Sequence, residues 1–265
     1  MSALLIIAGT DSSGGAGLTR DIAAATAMAQ LLPPFAQRTP ALRPVVTAIT
    51  VQTDTALEEI QPTRPETIQS QIRAAAATGP ISAVKIGMVG SAMAAEVIAK
   101  ALVHSVPETC PVVLDPVLRS SSGGQLMQAA DLKPLIARAT LITPNLQEAA
   151  QLAPSASNRH PDRPEASGIS LQARQLQQAR ELQQAGADAV LIKGGHGGGA
   201  MAVDQLFFGD THVRYDRPRL PRSRRGTGCT LATAIAVQLM AGRRLEQACA
   251  HAGDYVHECL KEGAA

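Results

Sequence analysis

The residues with the clearest chemical potential lie in one stretch, whose sequence is Arg224-Arg225-Gly226-Thr227-Gly228-Cys229-Thr230. Mostly apolar residues follow as far as Met240, which predicts a buried helix opened by a glycine-rich turn. Backbone N–H groups at such a helix start lack helical partners, so the turn predicts an anion-binding site. Cys229 falls in the first turn, where the pKa of a thiol tends to be lowered and a thiolate can act as a base. The competing interpretation is that Cys229 is a small side chain packed in the core, without a chemical role.

Other candidate site residues follow shortly after apolar runs that predict buried strands. These positions are Gly9, Asp11, Gln52, Met88, Asp115, Asn145 with Glu148, and Lys193. In open α/β sheets, ligands bind at the carboxyl ends of the parallel strands, so we expect these residues to converge. Two carboxylates suit Mg²⁺, a lysine suits phosphate charge, and an amide can read a heterocycle. Together with the anion site, they are the parts that a phosphoryl-transfer site needs.

Several of these residues also have a purely structural interpretation. Asp115 precedes a proline and could form a turn, and Asn145 with Glu148 has the spacing of a capping box at a helix start. Asp21, inside the first predicted helix, fits a solvated face on spacing alone. The glycine-rich loop of residues 9–17 matches neither the Walker nor the dinucleotide-binding pattern, so we expect a ligand-binding loop of another kind.

The predicted elements alternate between strand and helix almost throughout, which predicts one α/β domain over residues 1–265. Its sheet should be mostly parallel, with helices on both faces. Gly209-Asp210 lies between two strand-like runs and predicts a two-residue hairpin, which adds a small antiparallel piece near one edge.

One segment interrupts this alternation. Residues 31–44 hold four prolines, so we expect an exposed loop there, without helix or central strand. Residues 45–51 are rich in β-branched side chains and predict a single strand with Gln52 at its carboxyl end.

Composition and charge argue against several classes of function. The 265-residue chain has a formal net charge of +2 and 2% aromatic residues, without tryptophan, which speaks against bulk binding to nucleic acid or acidic membranes. Its four cysteines show neither a C-x-x-C pair nor zinc-ligand spacing. The first residues lack the features of a signal peptide, and no apolar run could span a bilayer. We therefore expect a cytoplasmic protein with reduced thiols.

Several blocks of the sequence resemble, in the same order, the ribokinase-like superfamily, and within it the hydroxymethylpyrimidine/phosphomethylpyrimidine kinases of thiamine biosynthesis. The blocks are residues 8–21, 47–52, 85–88, 113–117, 142–148, 193–196 and 226–230. The resemblance implies a three-layer ribokinase-like fold and the ATP- and Mg²⁺-dependent phosphorylation of 4-amino-5-hydroxymethyl-2-methylpyrimidine, then of its monophosphate. It also implies a homodimer or a larger assembly.

The resemblance further implies a role for each matching position. Cys229 would accept the proton of the substrate hydroxyl, in an anion hole formed by the N–H groups of Gly226, Thr227 and Gly228. Asp115 and Glu148 would lie around Mg²⁺. The phosphates of ATP would be bound by Asn145, Lys193, Thr227 and Gly228. The pyrimidine pocket would be lined by Gly9, Asp21, Gln52, Met88 and Val117.

Two features depart from the pattern of these kinases. Residues 31–44 are longer and richer in proline than the usual connection, and Arg225 stands where many relatives carry histidine. Either feature could shift the balance between the two phosphorylation steps. A pyridoxal kinase of the same superfamily is the alternative function, and a non-catalytic pyrimidine-binding regulator is an alternative of another class.

Overall fold

The computed structural model describes residues 2–36, 39–120, 123–157, 170–195, 197–221 and 224–262, and its central feature is a mostly parallel sheet. The strands of the described chain are β1 (Ala3–Ala8), β2 (Ala41–Val46), β3 (Ala48–Gln52), β4 (Leu57–Pro62), β5 (Ala83–Ile86), β6 (Val112–Leu114), β7 (Leu141–Ile142), β8 (Ala189–Ile192), β9 (Met201–Phe208) and β10 (Thr211–Pro218). Eight of them form one sheet in the order β10-β9-β8-β7-β6-β5-β1-β2, and β3 pairs with β4 in a separate two-stranded sheet.

Helices cover both faces of the large sheet. They are α1 (Gly17–Gln30), α2 (Pro33–Ala36), α3 (Pro65–Ala77), α4 (Ala92–Ser105), α5 (Lys133–Ile136), α6 (Leu146–Leu152), α7 (Pro154–Ser157), α8 (Leu171–Gln184), α9 (Thr227–Met240) and α10 (Leu245–Glu262). Side chains of a strand alternate between faces, so Leu5 and Ile7 pack in the core beneath α3, α4 and α8. Leu4 and Ile6 pack beneath α1, α9 and α10. The predicted three-layer architecture is confirmed.

The edge hairpin is also confirmed. β9 and β10 pair antiparallel, with Gly209 and Asp210 between them, and β9 pairs antiparallel with β8. All other pairs of the large sheet, from β2 to β8, are parallel. None of the helices in the described ranges is both long and apolar enough to cross a membrane.

The prediction of a loop over residues 31–44 is wrong. The segment contains α2 and most of β2, while residues 37 and 38 lie outside the described part of the chain. α2 begins with Pro33 and Pro34, which a first helical turn tolerates because its N–H groups have no helical partner. β2 includes Pro44 but is the edge strand beside β1, where a missing N–H donor is tolerated.

The prediction of one strand over residues 45–51 is wrong as well, because the chain leaves the large sheet at Thr47. The Thr47 N–H donates to the Ala8 carbonyl (3.1 Å), and its hydroxyl donates to the Met88 carbonyl (2.6 Å). β3 then begins at Ala48 and pairs with β4, a strand that the sequence analysis did not predict. This break carries Gln52, the last residue of β3, over the carboxyl ends of β1 and β5.

Two further segments differ from what their sequences predict. The sequence of residues 131–139 predicts one helix, but the structure has a 3-10 turn, Ala129–Leu132, followed by the single turn α5. The polar, proline-rich sequence of residues 154–168 predicts a loop, but the segment begins with α7, and residues 158–169 lie outside the described part of the chain.

Candidate active site

A cavity of about 630 Å³ opens at the carboxyl ends of the parallel strands. Every residue that was assigned to the site from the sequence lines this cavity except Asp11 and Asp21; the lining set is Gly9, Gln52, Met88, Asp115, Val117, Asn145, Glu148, Lys193, Gly226, Thr227, Gly228 and Cys229. They come from the ends of β1, β3, β5, β6, β7 and β8 and from the start of α9. Residues far apart in the sequence therefore share one cavity, at the place where open α/β sheets bind ligands.

The start of α9 is built around Gly226. This residue has a φ of +76°, and a Cβ atom there would collide with the carbonyl oxygen of Gly15. The carbonyl of Gly226 accepts from the Thr230 N–H (2.8 Å) and hydroxyl (2.9 Å), so it closes the first helical turn. The N–H groups that precede Thr230 have no helical acceptor by geometry and carry the positive end of the helix dipole. The predicted helix start is confirmed, with Cys229 in its first turn.

Lys193 and Asp115 form an ion pair directly beside this helix start. Lys193 Nζ lies 2.8 Å from Asp115 Oδ1, and a Cβ atom on Gly228 would lie 3.2 Å from the same nitrogen. Burial disfavours the charged lysine, but Asp115 and Glu148 outweigh it and raise the pKa of Lys193. Burial likewise disfavours the charged Asp115, but Lys193 and Lys85 prevail and lower its pKa. A fixed cation therefore lies where the anion site begins.

Asn145 and Glu148 form the capping box of α6. The Asn145 side chain accepts from the N–H groups of Gln147 and Glu148, both at 2.9 Å, and Glu148 Oε2 accepts from the Asn145 N–H at 2.8 Å. Burial raises the pKa of Glu148 and the charge of Asp115 adds to the effect, against the attraction of Lys193. The structural interpretation is thus correct, yet both residues also line the cavity.

Asp115 and Glu148 are the residues that could hold a divalent cation. Within the described ranges, no group of three or more His, Cys, Asp or Glu side chains forms a metal-binding cluster. Mg²⁺ is usually bound by one or two carboxylates together with substrate phosphates and water. The charge of Asp115 adds to burial in raising the pKa of Glu148, and a cation between the two carboxylates would offset both effects. The donor set fits Mg²⁺ that arrives with a phosphate ligand.

Cys229 lines the cavity, but the expectation of a lowered thiol pKa is wrong for the ligand-free chain. Burial raises the pKa of Cys229 to about 11, and the nearby charge of Lys85 only partly offsets this effect. The helix start therefore does not by itself produce a thiolate at neutral pH. Cys229 is nevertheless half-buried rather than packed into the core, unlike Cys110 and Cys249.

Asp21 lies behind the cavity wall, in a fully buried ion pair with Lys85. Lys85 Nζ is 2.6 Å from Asp21 Oδ2, and the hydroxyl of Thr233 on α9 donates to Asp21 Oδ1 at 2.9 Å. The carboxylate thus contacts α9 and β5 rather than the solvated face expected from its spacing. No role was expected for Lys85 from the sequence, although a lysine inside an otherwise apolar four-residue strand indicates a buried charge that needs a partner.

Arg225 connects the helix start to two other segments. Its Nη2 donates to Asp11 Oδ2 (3.0 Å), and its Nη1 donates to the Ser13 hydroxyl (2.9 Å), the Thr53 carbonyl (2.8 Å) and Asp54 Oδ1 (3.2 Å). Asp11 and Ser13 belong to the loop after β1, and Thr53 and Asp54 to the turn between β3 and β4. Arg225 thus holds three loops of the cavity together.

Residues 11–265 match a family model described as phosphomethylpyrimidine kinase. A hydroxymethylpyrimidine/phosphomethylpyrimidine kinase of Rhizobium meliloti (strain 1021) is 34% identical over 261 residues, which cover 97% of this chain and 89% of that protein.

Solved structures share the fold. The phosphomethylpyrimidine kinase of Clostridium difficile 630 superimposes with a TM-score of 0.74 at 30% identity, covering 98% of this chain and 99% of that one. The pyridoxal kinase of Staphylococcus aureus in complex with AMP-PCP gives a TM-score of 0.80 at 24% identity, covering 98% of this chain and 88% of that one. At that identity, the second likeness concerns the fold alone.

The buried pair predicts a large loss of stability in Asp21→Asn. Removing one partner leaves an uncompensated buried charge on Lys85, so we expect about 3–5 kcal/mol lower free energy of unfolding in urea. Glu96→Gln is the matched control, because the Glu96–Lys100 pair is exposed on α4 and should contribute less than about 1 kcal/mol. Adding Lys85→Met to Asp21→Asn should recover part of the loss. Equal effects of Asp21→Asn and Glu96→Gln would contradict the importance of the buried pair.

The raised thiol pKa predicts slow alkylation of Cys229 in the ligand-free chain. With a pKa of about 11 instead of 9.0, the reactive thiolate fraction at pH 7 should be about a hundredfold smaller than for an ordinary thiol. The iodoacetamide rate at Cys229, followed by peptide mass spectrometry, should rise about tenfold per pH unit up to at least pH 10. The slope is independent of how accessible the thiol is. A rate that levels off by pH 10, as for a thiol with the ordinary pKa of 9.0, would show that the pKa is not raised.

Proposed function

The chain belongs to the phosphomethylpyrimidine kinase family, and from this premise we propose how its cavity performs phosphoryl transfer. The chain is a phosphotransferase that uses ATP. Its acceptors are the hydroxymethyl group of 4-amino-5-hydroxymethyl-2-methylpyrimidine and then the phosphate of the monophosphate, a sequence of steps in thiamine biosynthesis. The observation that carries the proposal is the position of Cys229, in the first turn of α9 and in one cavity with Lys193 and Gln52.

The pyrimidine binds at the β1–β5 end of the cavity, between Gly9, Gln52, Met88 and Val117. Ser12 supports this assignment, because its hydroxyl accepts from the Gln52 N–H (2.9 Å) and donates to the Gln52 carbonyl (2.8 Å). The backbone of Gln52 is thereby held, and its side-chain amide offers a donor and an acceptor to the edge of the ring. Asp21 acts from behind the wall as a positioning residue for α1, β5 and α9.

The hydroxyl oxygen of the substrate attacks the γ-phosphorus, and the bond between that phosphorus and the bridging oxygen of ADP breaks. Cys229 acts as general base in its thiolate form, which accepts the hydroxyl proton. Because the thiol is protonated in the ligand-free chain, it first loses its own proton to solvent. The N–H groups of Gly226, Thr227 and Gly228 donate to the transferred phosphoryl oxygens. Lys193, kept cationic by its carboxylate neighbours, contacts the phosphates, and Asn145 lies beside them. These groups act by positioning and charge neutralisation, which dominate phosphoryl transfer.

Asp115 and Glu148 would hold Mg²⁺, which neutralises phosphate charge when bound. Their carboxylates line the cavity close to Lys193, so metal and lysine would act on the same phosphates. We also propose that residues 1–265 act as one kinase domain and that the protein assembles as a homodimer, as the sequence resemblance implies. Size-exclusion chromatography with light scattering tests the assembly.

The role of Cys229 predicts different effects on the two phosphorylation steps. Cys229→Ala should lower turnover of the alcohol at least about a hundredfold with little change in substrate affinity, because a general base is lost. The monophosphate is already anionic at neutral pH, since a phosphate ester has a second pKa of about 6, so its phosphorylation should fall less. An ATP-coupled assay on both substrates measures the two effects.

Cys110→Ala is the matched control, because Cys110 is buried under the sheet and does not line the cavity; it should keep wild-type turnover. Wild-type turnover of the alcohol in Cys229→Ala would assign the base elsewhere. Faster turnover of pyridoxal than of the pyrimidine alcohol by the wild-type chain would instead favour the pyridoxal kinase alternative. Binding without any ATP consumption would favour the regulator.

The metal proposal predicts a changed Mg²⁺ requirement in Glu148→Gln. Glutamine still serves the capping box of α6, so the fold should persist while the ligand charge is lost. We expect the Mg²⁺ concentration for half-maximal activity to rise at least about tenfold. Glu108→Gln, at an exposed position outside the cavity, should leave it unchanged. An unaltered Mg²⁺ requirement in Glu148→Gln would remove this residue from the metal site.

A further inference from the structure

One arginine gathers the carbonyl groups of the glycine-rich loop that follows Lys193. The described part of this loop contains Gly194, Gly195 and residues 197–199, all of them glycine. The guanidinium of Arg219 donates to five carbonyl oxygens: those of Gly199 (2.9 Å, from Nε), Gly195 (from Nη1), and Gly194 (3.2 Å), Gly198 (3.3 Å) and Met201 (2.9 Å), all three from Nη2. The Arg219 N–H also donates to the Ala200 carbonyl (2.8 Å).

The loop would otherwise be poorly ordered. Glycine loses more conformational freedom on ordering than any other residue, and this loop has no side chains with which to pack at its glycines. A guanidinium offers five N–H donors in one rigid plane, whereas an ammonium offers three from a single point. Arg219 therefore replaces, from one side chain, the hydrogen bonds that a regular element would provide.

A second contact fixes the start of the loop from the strand side. The Gly194 N–H donates to Asp204 Oδ1 at 2.8 Å, and a Cβ atom on Gly194 would collide with the backbone of Val203. The loop is thus held against β9 at one end and gathered around Arg219 along its length. Its conformation is set before any ligand binds.

The position of the loop indicates which substrate it serves. In the order of the sheet, β8 and β9 lie on one side of β6 and β7, while β1 and β5, which carry the pyrimidine-side residues, lie on the other. Gly195, Arg219 and Leu220 line the same cavity as Lys193. The loop therefore borders the end that remains for the nucleotide.

Arg219 differs from two nearby arginines in the groups that it contacts. Arg217 pairs with Asp204 and Asp254, and Arg225 pairs with Asp11 and Asp54. Within the described ranges, no carboxylate lies within ion-pair distance of Arg219. The described contacts of its guanidinium are with carbonyl groups, so Arg219 orders the backbone of the glycine-rich loop.

We propose that Arg219 is a positioning residue for the nucleotide. It holds residues 194, 195 and 197–201 of the loop in the conformation that receives ATP, and it acts through the geometry of its donors rather than through its charge. The inference deepens the proposed kinase function and rests on it for the identity of the ligand. It concerns nucleotide affinity and leaves the pyrimidine end of the cavity unaffected.

The test compares Arg219→Gln and Arg219→Lys with Arg214→Gln in the full chain. Arg214 is the matched control, because it lies on β10, the strand that ends directly before Arg219, is exposed and bonds only Asp216 among the described contacts. In Arg219→Gln, the Kd for Mg²⁺ with AMP-PCP, measured by calorimetry, should rise at least about tenfold. The KM for the pyrimidine alcohol should stay within about twofold, and kcat at saturating ATP within about threefold. Arg214→Gln should match wild type throughout.

Hydrogen exchange of the ligand-free variants supplies the readout that a general loss of stability would not give. Amides of residues 195 and 197–201 should exchange faster in Arg219→Gln while those of β5 and α9 keep their protection. Arg219→Lys retains the charge but not the planar donors, so it should remain defective in both measurements and also serves if Arg219→Gln does not fold. Unchanged loop exchange, unchanged AMP-PCP affinity, or full recovery in Arg219→Lys would each overturn the proposal.

Failure of the proposed function looks different from failure of this inference. A wild-type chain that binds AMP-PCP but phosphorylates no pyrimidine would refute the substrate assignment and leave the loop measurements valid. A wild-type chain that phosphorylates the pyrimidine while Arg219→Gln binds AMP-PCP normally would refute the role of Arg219 alone.

Discussion

The cavity depends on a balance of buried charges in and beneath its floor. Lys85 is held by Asp21 at 2.6 Å, and Lys193 is held by Asp115 at 2.8 Å. A charge buried in an apolar sheet is costly unless a partner is buried with it. Lys85 lies on β5 and Lys193 directly follows β8, and each carboxylate comes from another element. The pairs therefore join α1 to β5 and the end of β6 to the end of β8. The fold and the electrostatics of the site therefore use the same residues.

The same balance sets the chemistry available to Cys229. Burial raises the pKa of its thiol, and Lys85, which lies on the strand face beneath α9, partly offsets that effect. A thiol of raised pKa is a weak acid but a strong base once ionised. Lys85, Lys193 and the free N–H groups at the start of α9 all favour negative charge beside Cys229. The site is thus arranged for charge that develops during transfer.

Two arginines order the loops at the two ends of this charged floor. Arg225 joins the loop after β1 to the turn between β3 and β4, and Arg219 gathers the glycine-rich loop after β8. Neither role is visible in the local sequence, because every contact spans many residues. The pattern explains how a cavity formed largely by loops retains a defined shape on a rigid sheet.

The amino-acid sequence by itself determined the alternation of elements, the edge hairpin, the helix start at Gly226 and most residues of the cavity, because apolar periodicity, caps and glycines act locally. It did not reveal β4, whose sequence Leu-Glu-Glu-Ile-Gln-Pro lacks a buried face, or the break at Thr47, which depends on the carbonyl of Met88. Only the tertiary structure decided the burial of Asp21, the contacts of Arg219 and the raised pKa of Cys229. Each depends on desolvation and on partners distant in the chain, which no local pattern contains.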